Sequence, residues 1–581
     1  MKKKYRLSAL LVFSAVFLVS CGSTSKSTSQ SASNTASTQS ASYNSDSSSE
    51  TKVTFTKKAV DLYTSTTTKV SVNFYFTAKN PDIPFVDFAE FTAAIKMGFN
   101  VALDEASGVL TIKNDSYASY LDFKKGLYEV DDYEHFFSFG TKCSYLDVMS
   151  MTAADEHGKN HYLKRDDTSV FLTSGRPVTM DLASHEIPLY LAEGKAYLPL
   201  ATFSDLFVSP FGAYVVYNSK DAFFAPDLDA FKDMYYTDDL KKARSESLAK
   251  FTYNEFCFNM DYSYGLKESH GITTFDDFIT RCGLKSDMLS TDPSVSSIAL
   301  NRFILGYLDD SHSGSRFSSP LAGYLDLVKD EYMGPSMTSR ANKAKPFAAA
   351  RKAVYGDTIK PYEEVGGDTA IITFDEFANN KGDYYTTFPT ETDAANDTIA
   401  LVSYADSKIK ANSAIKNVVI DLSLNGGGAA DSAAFMASWI CGGALINTMN
   451  PFDGAKASLT YYGDTNLDGT FDSNDYLKGK KVYCLTTESS FSCGNLLPSV
   501  FKASGAATIL GHTSGGGACI VGKAALPDGS TYQLSSREVL CTRKNGSYYN
   551  VDQGVQPDYV IDDPTTYYDR TALRAKIVSL S

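Results

Sequence analysis

The stretch from Lys481 to Gly522, KVYCLTTESSFSCGNLLPSVFKASGAATILGHTSGGGACIVG, limits this chain more than any other. KVYCLTT is short, β-branched and apolar, the pattern of a buried strand. ESSFSCGN turns the chain, LLPSVFKAS has helical spacing despite its proline, and ATILG is a second strand. Ser492 therefore falls on a strand-to-helix turn, followed by backbone N–H groups that a helix start leaves unpaired. A serine there can be an ordinary N-cap. It can also be a nucleophile, with the helix dipole and those N–H groups facing a developing oxyanion.

The chain opens with MKKKYRLSALLVFSAVFLVSC, a basic start and an apolar run too short to be a convincing bilayer span. Residues 1–20 read as a secretory signal. Leu18-Val19-Ser20-Cys21 resembles the lipobox of bacterial lipoproteins, which implies cleavage before Cys21, lipid on its sulfur and a place at the extracytoplasmic face of the cell membrane. Residues 21–50, almost entirely Ser, Thr, Ala, Asn and Gln after Cys21, lack the apolar surface to offset chain entropy and read as a tether.

With 43% hydrophobic residues the remainder can build two or three cores, and a formal charge of −14 argues against nucleic acid as a partner. The cysteines beyond Cys21 lack the density of a disulfide scaffold. Cys441, Cys484 and Cys519 look like core residues, and Cys257 with Cys282 is the pair an oxidising compartment could join.

Residues 51–226 alternate short strands with a few amphipathic turns. Two segments, beginning at Ile83 and Ala196, each read as strand, short helix and hairpin, a possible internal repeat that resembles stalk-type modules of Gram-positive surface proteins. Binding or spacing is the role this suggests. His135, His157, His161 and His185 lie in polar loops and read as surface residues. Residues 227–345 turn helical. In SVSSIALNRFILGYLDDSHSG, Ile298, Phe303, Ile304 and Leu308 share a helical face that runs out at Asp309, leaving His312 accessible among small residues.

Residues 346–581 alternate α and β. NVVIDL is a buried strand that passes through Ser423-Leu424-Asn425-Gly426-Gly427-Gly428 into the helix AADSAAFMASWI. The glycines allow close backbone approach and an anion-stabilising nest. A phosphate-loop lysine and the G-x-G-x-x-G spacing are both missing, so a nucleotide site is excluded.

Taken together, LDDSHSG, IDLSLNGGG, ESSFSCGNLLPSVFK and YYNVDQGVQPDYVID resemble, in order, the motifs of the tail-specific, or C-terminal-processing, serine proteases. The similarity is closest to the tricorn-core branch and to retinoid-binding relatives. The resemblance covers roughly Asp239 to the C-terminus. It implies an α/β fold, a ClpP/crotonase-like ββα spiral core, preceded by the helical segment and a β-rich (α+β) N-terminal region. It also implies Ser492 as nucleophile, His312 as general base, Ser311 and Asp552 as orienting groups, and backbone N–H donors from Cys493 and from Gly426 or Gly427. The lysine of the better-known Ser–Lys dyad is missing from Gly511–Gly517, and the nearest, Lys523, is expected on the next strand with its ammonium in solvent. No PDZ domain is evident, so tail specificity is not carried over.

Asp464, Asn466, Asp468, Gly469, Thr470 and Asp475 fall in the register of an EF-hand or dockerin-type calcium loop, with a turn-rich hairpin as the alternative. Catalysis needs no cofactor on this reading, and calcium would be structural. The expected function is a membrane-anchored peptidase acting on peptide or protein substrates; the alternative is an inactive member of the fold serving as a ligand-binding or surface scaffold protein.

Overall fold

A computed structural model describes residues 53–140, 142–150, 162–317, 330–379 and 382–580. Cys21, the signal, the tether, His157 and His161 lie outside them. The chain is a mixed α/β protein with a β-rich N-terminal region. Among the described residues no helix is long and apolar enough to cross a membrane.

The functional half is organised by a six-stranded sheet. Its central strands are β1 (Thr369–Thr373), β2 (Asn417–Asp421), β3 (Lys481–Thr486) and β4 (Thr508–Gly511), all parallel, with Tyr362–Val365 antiparallel at one edge. Val419 lies opposite Ile371 and Tyr483, and Cys484 opposite Ile509. Both faces are covered, which is why β2 reads as an unbroken apolar run. Ile371, Val419, Tyr483, Leu485 and Leu510 pack under Phe347, Tyr567 and Leu573, while Ile372, Val418, Ile420 and Cys484 face the main core. β2, β3 and β4 all end toward one edge, where the glycine-rich loops lie.

A second sheet of eight strands centres on Thr531–Lys544. Two of its strands, Leu163–Arg165 and Phe171–Thr173, come from the N-terminal region and pair with Lys456–Gly463. The boundary at residue 226 therefore does not separate two independently packed bodies. Leu146, Met149 and Leu163 are in the main core, and Asp147 accepts a hydrogen bond from Tyr461 Oη (2.6 Å). A freestanding spacer is not what the chain builds.

The segments beginning at Ile83 and Ala196 each form a strand (Phe85–Asp87; Lys195–Pro199), a helix (Phe88–Ala94; Leu200–Phe207) and a hairpin. The two strands pair antiparallel, and the helices meet through Phe88, Phe91, Phe203 and Phe207.

Candidate active site

Helix α1 (Pro293–Arg302) gives way to a π-helical turn, Phe303–Leu308, and then to Asp309 at φ 51°. The wider turn rotates the expected apolar face: Phe303, Ile304 and Leu308 are buried, but Ile298 is only half-buried. A π-turn just before His312 places the irregular backbone at the site. Asp309 accepts N–H bonds from Ser336 (2.6 Å) and Met337 (3.0 Å), tying it to the start of helix α2 (Pro335–Tyr355).

His312, expected to be accessible, is instead buried at 5% exposure, packed against Phe491. Its backbone is fixed by N–H donation to Asp310 Oδ1 (3.0 Å) and by Gln533 Nε2 donating to its carbonyl (2.7 Å). Among the described residues neither ring nitrogen has a hydrogen-bond partner. Burial lowers its pKa; Asp310 and Asp552 push the other way, and Arg340 of α2 adds to the lowering. Ser311 lines the neighbouring cavity but does not bond the ring. Asp552 spends Oδ1 on the N–H groups of Gly517 (3.2 Å) and Ala518 (3.1 Å), so it braces the glycine-rich loop, and it acts on His312 by charge.

Ser492 sits at φ 57° and ψ −119°, immediately before helix α3 (Cys493–Ser504), and its side chain does not cap that helix. A non-glycine residue held there is strained, and such strain concentrates at functional turns. The turn is stitched on both sides. Phe491 N–H donates to Asn425 O (3.1 Å), Ser492 N–H to Gly516 O (2.9 Å), and Gly515 N–H to Ser490 O (2.8 Å). Gly427, at φ 106°, lies so close that a Cβ there would come within 2.6 Å of Ser492 Cβ.

The N–H groups expected for the oxyanion hole are only partly free. Gly426 N–H donates to Asp375 O (2.9 Å), and Gly427 N–H to Asn425 Oδ1 (2.9 Å). Neither can serve an oxyanion without breaking a bond. Among the described residues the N–H groups of Cys493 and Gly428 have no acceptor. The unbonded N–H of this loop is thus one residue beyond the expected pair, because the buried Asn425 side chain accepts from Gly427. Sequence reading missed Asn425, and also Asn495, whose Oδ1 accepts from Ser514 Oγ (2.6 Å) and whose Nδ2 donates to Val551 O (2.9 Å). A buried amide between two glycine-rich loops was the available signal.

Lys523 donates to Pro226 O (2.6 Å), with burial lowering its pKa. The ammonium was expected in solvent; it is instead partly buried and turned onto the end of the N-terminal region. His185 likewise is not a plain surface residue: its Nε2 lies 3.1 Å from Asp261 Oδ2. Cys257 and Cys282 are both free thiols.

A cavity of about 660 Å³ opens beside the turn, lined by Asp310, Ser311, Arg340, Phe491, Gly517 and Asp552 among others. Leu266, Ile272, Phe278 and Leu308 form an apolar wall.

In the 464–475 loop, Asp464 accepts from Asp468 N–H (3.2 Å) and Gly469 N–H (2.8 Å), and Asp475 from Thr465 (2.9 Å) and Asp472 (2.9 Å) N–H. Asn466 Nδ2 donates to Asp468 Oδ2, and Thr470 N–H to Asp468 Oδ1. Among the described residues no three His, Cys, Asp or Glu side chains are grouped to hold a metal ion.

A strained serine between two glycine-rich loops, at a helix start with free N–H groups, defines a serine hydrolase of α/β architecture. Residues 369–561 match the model of Peptidase family S41. The chain carries the peptidase domain of that tail-specific family and is a serine peptidase. No curated protein matches the sequence. Solved structures it is similar to include the photosystem II D1 C-terminal processing protease (16% identity, 37% of this chain and 54% of that one, TM-score 0.28). A lipoprotein from Streptococcus agalactiae shares 15% identity over 58% and 96% of the two chains, TM-score 0.35. The tricorn protease shares 12% over 91% and 59%, TM-score 0.31.

Proposed function

We propose that the protein is a lipid-anchored, extracytoplasmic peptidase in which Ser492 is acylated by a peptide substrate with His312 as general base. The observation that carries this reading is Ser492 itself, held at positive φ between the two glycine-rich loops. Ser492 Oγ attacks the scissile carbonyl carbon while its proton passes to the imidazole. The oxyanion takes the N–H groups of Cys493 and Gly428. Collapse breaks the C–N bond, and the amine leaves with the proton. Water then hydrolyses the ester by the same route, and Ser492 is restored. An imidazole kept neutral by burial is suited to accept that proton. Lys523, bonded to Pro226 O, is poorly placed to replace it.

Anchoring is proposed through Cys21, supported by the lipobox-like Leu18–Cys21 and the apolar run before it. Calcium is proposed as a structural ion of the 464–475 loop. The EF-hand register supports it, as does the pKa of Asp464, pushed up to about 6 by burial with Asp475 and Asp468 adding to it.

A fluorophosphonate probe followed by peptide mapping tests the nucleophile: label should fall on Ser492, and Ser492→Ala should neither label nor hydrolyse peptides while keeping its melting temperature. Turnover by purified Ser492→Ala at the wild-type rate would end the assignment. Cys21→Ser should lose membrane fractionation and the lipid mass; unchanged fractionation with no lipid would end the anchor reading.

A further inference from the structure

Among the described residues the two groups proposed for catalysis are not hydrogen-bonded to each other, and an aromatic ring packs against one of them. Phe491, whose backbone leads directly into Ser492, presents its ring to His312 with centroids 4.7 Å apart and planes at 55°. His312 is buried, yet among the described residues both ring nitrogens lack a partner, a costly state for a polar ring. Asp310, Ser311 and Phe491 all line the cavity, while His312 does not, so the Phe491 ring that packs on the imidazole is itself exposed to whatever enters.

Phe491 is itself held. The Arg340 guanidinium carbon stands 3.9 Å from its centroid, a close cation–π contact. Among the described residues Arg340 has no ion-pair partner within salt-bridge distance, and burial lowers its pKa with the charges of Asp310 and Asp309 opposing. On the far side Gly517 leaves no room for a Cβ, which would come within 2.6 Å of Phe491 Cε2. Arg340 comes from α2, whose first turn is tied to Asp309 three residues before His312. Latch and base are therefore parts of one unit.

We propose that Phe491, clamped by Arg340, is an autoinhibitory latch that keeps His312 off Ser492 until substrate entering the cavity displaces the ring. This rests on the His312 base reading. Substrate meets Arg340 and Phe491 on the cavity wall before it meets the imidazole. Displacement of the ring frees both ring nitrogens, one to take the serine proton and the other to find an acceptor on Asp310, Ser311 or Asp552.

The test is the second-order rate of Ser492 labelling by a small fluorophosphonate, which cannot itself push the ring aside. Full-length wild type, Arg340→Met and Phe491→Leu are compared, each with and without His312→Ala, with Trp439 fluorescence and melting curves reporting the fold. Weakening the latch should raise labelling roughly tenfold, equivalent to about 1.4 kcal/mol, and Arg340→Lys, which keeps the charge, should fall between. Damage to the site would instead lower it. If His312→Ala suppresses labelling but Arg340→Met and Phe491→Leu label at or below the wild-type rate, the latch is wrong and the base stands. If His312→Ala labels as fast as its parent in every background, the base reading fails and the latch with it.

Discussion

Gly427→Ala is the substitution whose effect follows most directly from the geometry. The new Cβ would stand 2.6 Å from Ser492 Cβ and 2.8 Å from Phe491 O. Carbon atoms in contact settle about 3.5–4.0 Å apart, so roughly 1 Å must be found. A rotamer change cannot supply it, because the clash is with a Cβ and a carbonyl fixed by the backbone of the turn. That turn is bonded to Asn425, Gly515 and Gly516, so the nucleophile moves with it. A misplacement of about 1 Å costs about 10²-fold in rate. The φ of 106° adds backbone strain, and overpacking of this kind costs about 1–3 kcal/mol of stability. Hydrolysis of an internally quenched peptide should fall about a hundredfold while far-ultraviolet dichroism is unchanged and urea unfolding shifts modestly. Gly426→Ala is the control, since a Cβ there meets nothing within 4 Å. Gly427→Ala activity within threefold of wild type, or equal losses in both variants, would refute the packing argument.

Four further expectations concern the base, the nearest lysine, a buried ion pair and the 464–475 loop. Because burial lowers the His312 pKa against the opposing charges of Asp310 and Asp552, the imidazole stays neutral to lower pH. The acid limb of kcat/KM should therefore have its midpoint below the ordinary histidine value of about 6.5, and a midpoint above it would contradict the burial. His312→Ala should abolish turnover while Lys523→Ala loses only its bond to Pro226 O, about 1 kcal/mol of stability; the reverse pattern would restore a lysine base. Arg570→Met removes the cation bonded to the buried Asp421 Oδ2 (2.9 Å), and should cost about 3–5 kcal/mol in urea unfolding, partly recovered by adding Asp421→Asn. A loss below 1 kcal/mol would show the pair to be dispensable. Calcium should raise the melting temperature, and Asp464→Asn with Asp468→Asn should erase the rise; superimposable curves with calcium and with chelator would leave the loop a turn.

The central strands and the serine turn could be read from sequence because burial on both faces makes β2 and β3 unbroken apolar runs, and a turn between a strand and a helix has its own residue signature. The donors of the oxyanion hole could not. Whether Gly426 or Gly427 has a free N–H depends on Asp375 O, fifty-one positions from Gly426, and on which way the Asn425 amide points. Arg340 was invisible for a similar reason. Its helix is Lys-, Arg- and Ala-rich with only Phe347 buried, so no periodicity marks the turn that reaches Phe491. The strands Leu163–Arg165 and Phe171–Thr173 are too short to show alternation, and only the edge of Lys456–Gly463 that they cover explains them.

That last pairing changes what the N-terminal region can be. Lys456–Gly463 would otherwise present an open ladder, and edges of that kind invite association with other chains. The join is also polar, buried at Asp205, Ala525, Asn450 and Glu134 and more open at Ser150. Asp205 Oδ1 accepts from Ala525 N–H (3.3 Å), Asn450 Nδ2 donates to Glu134 Oε1 (2.9 Å), and Ser150 Oγ donates to Asp431 Oδ2 (2.8 Å). Arg537 stacks on Tyr133 at 4.4 Å and Phe452 at 5.3 Å. Buried hydrogen bonds cost more when left unmade than they contribute when made, so sliding or hinging at this join would strand several polar groups at once. Asp431 opens the helix that follows the Gly426–Gly428 loop, and Ala525 ends the strand that carries Lys523. The N-terminal region therefore holds the scaffold of the active site from two directions, a role that a repeat of strand, helix and hairpin would not by itself have suggested.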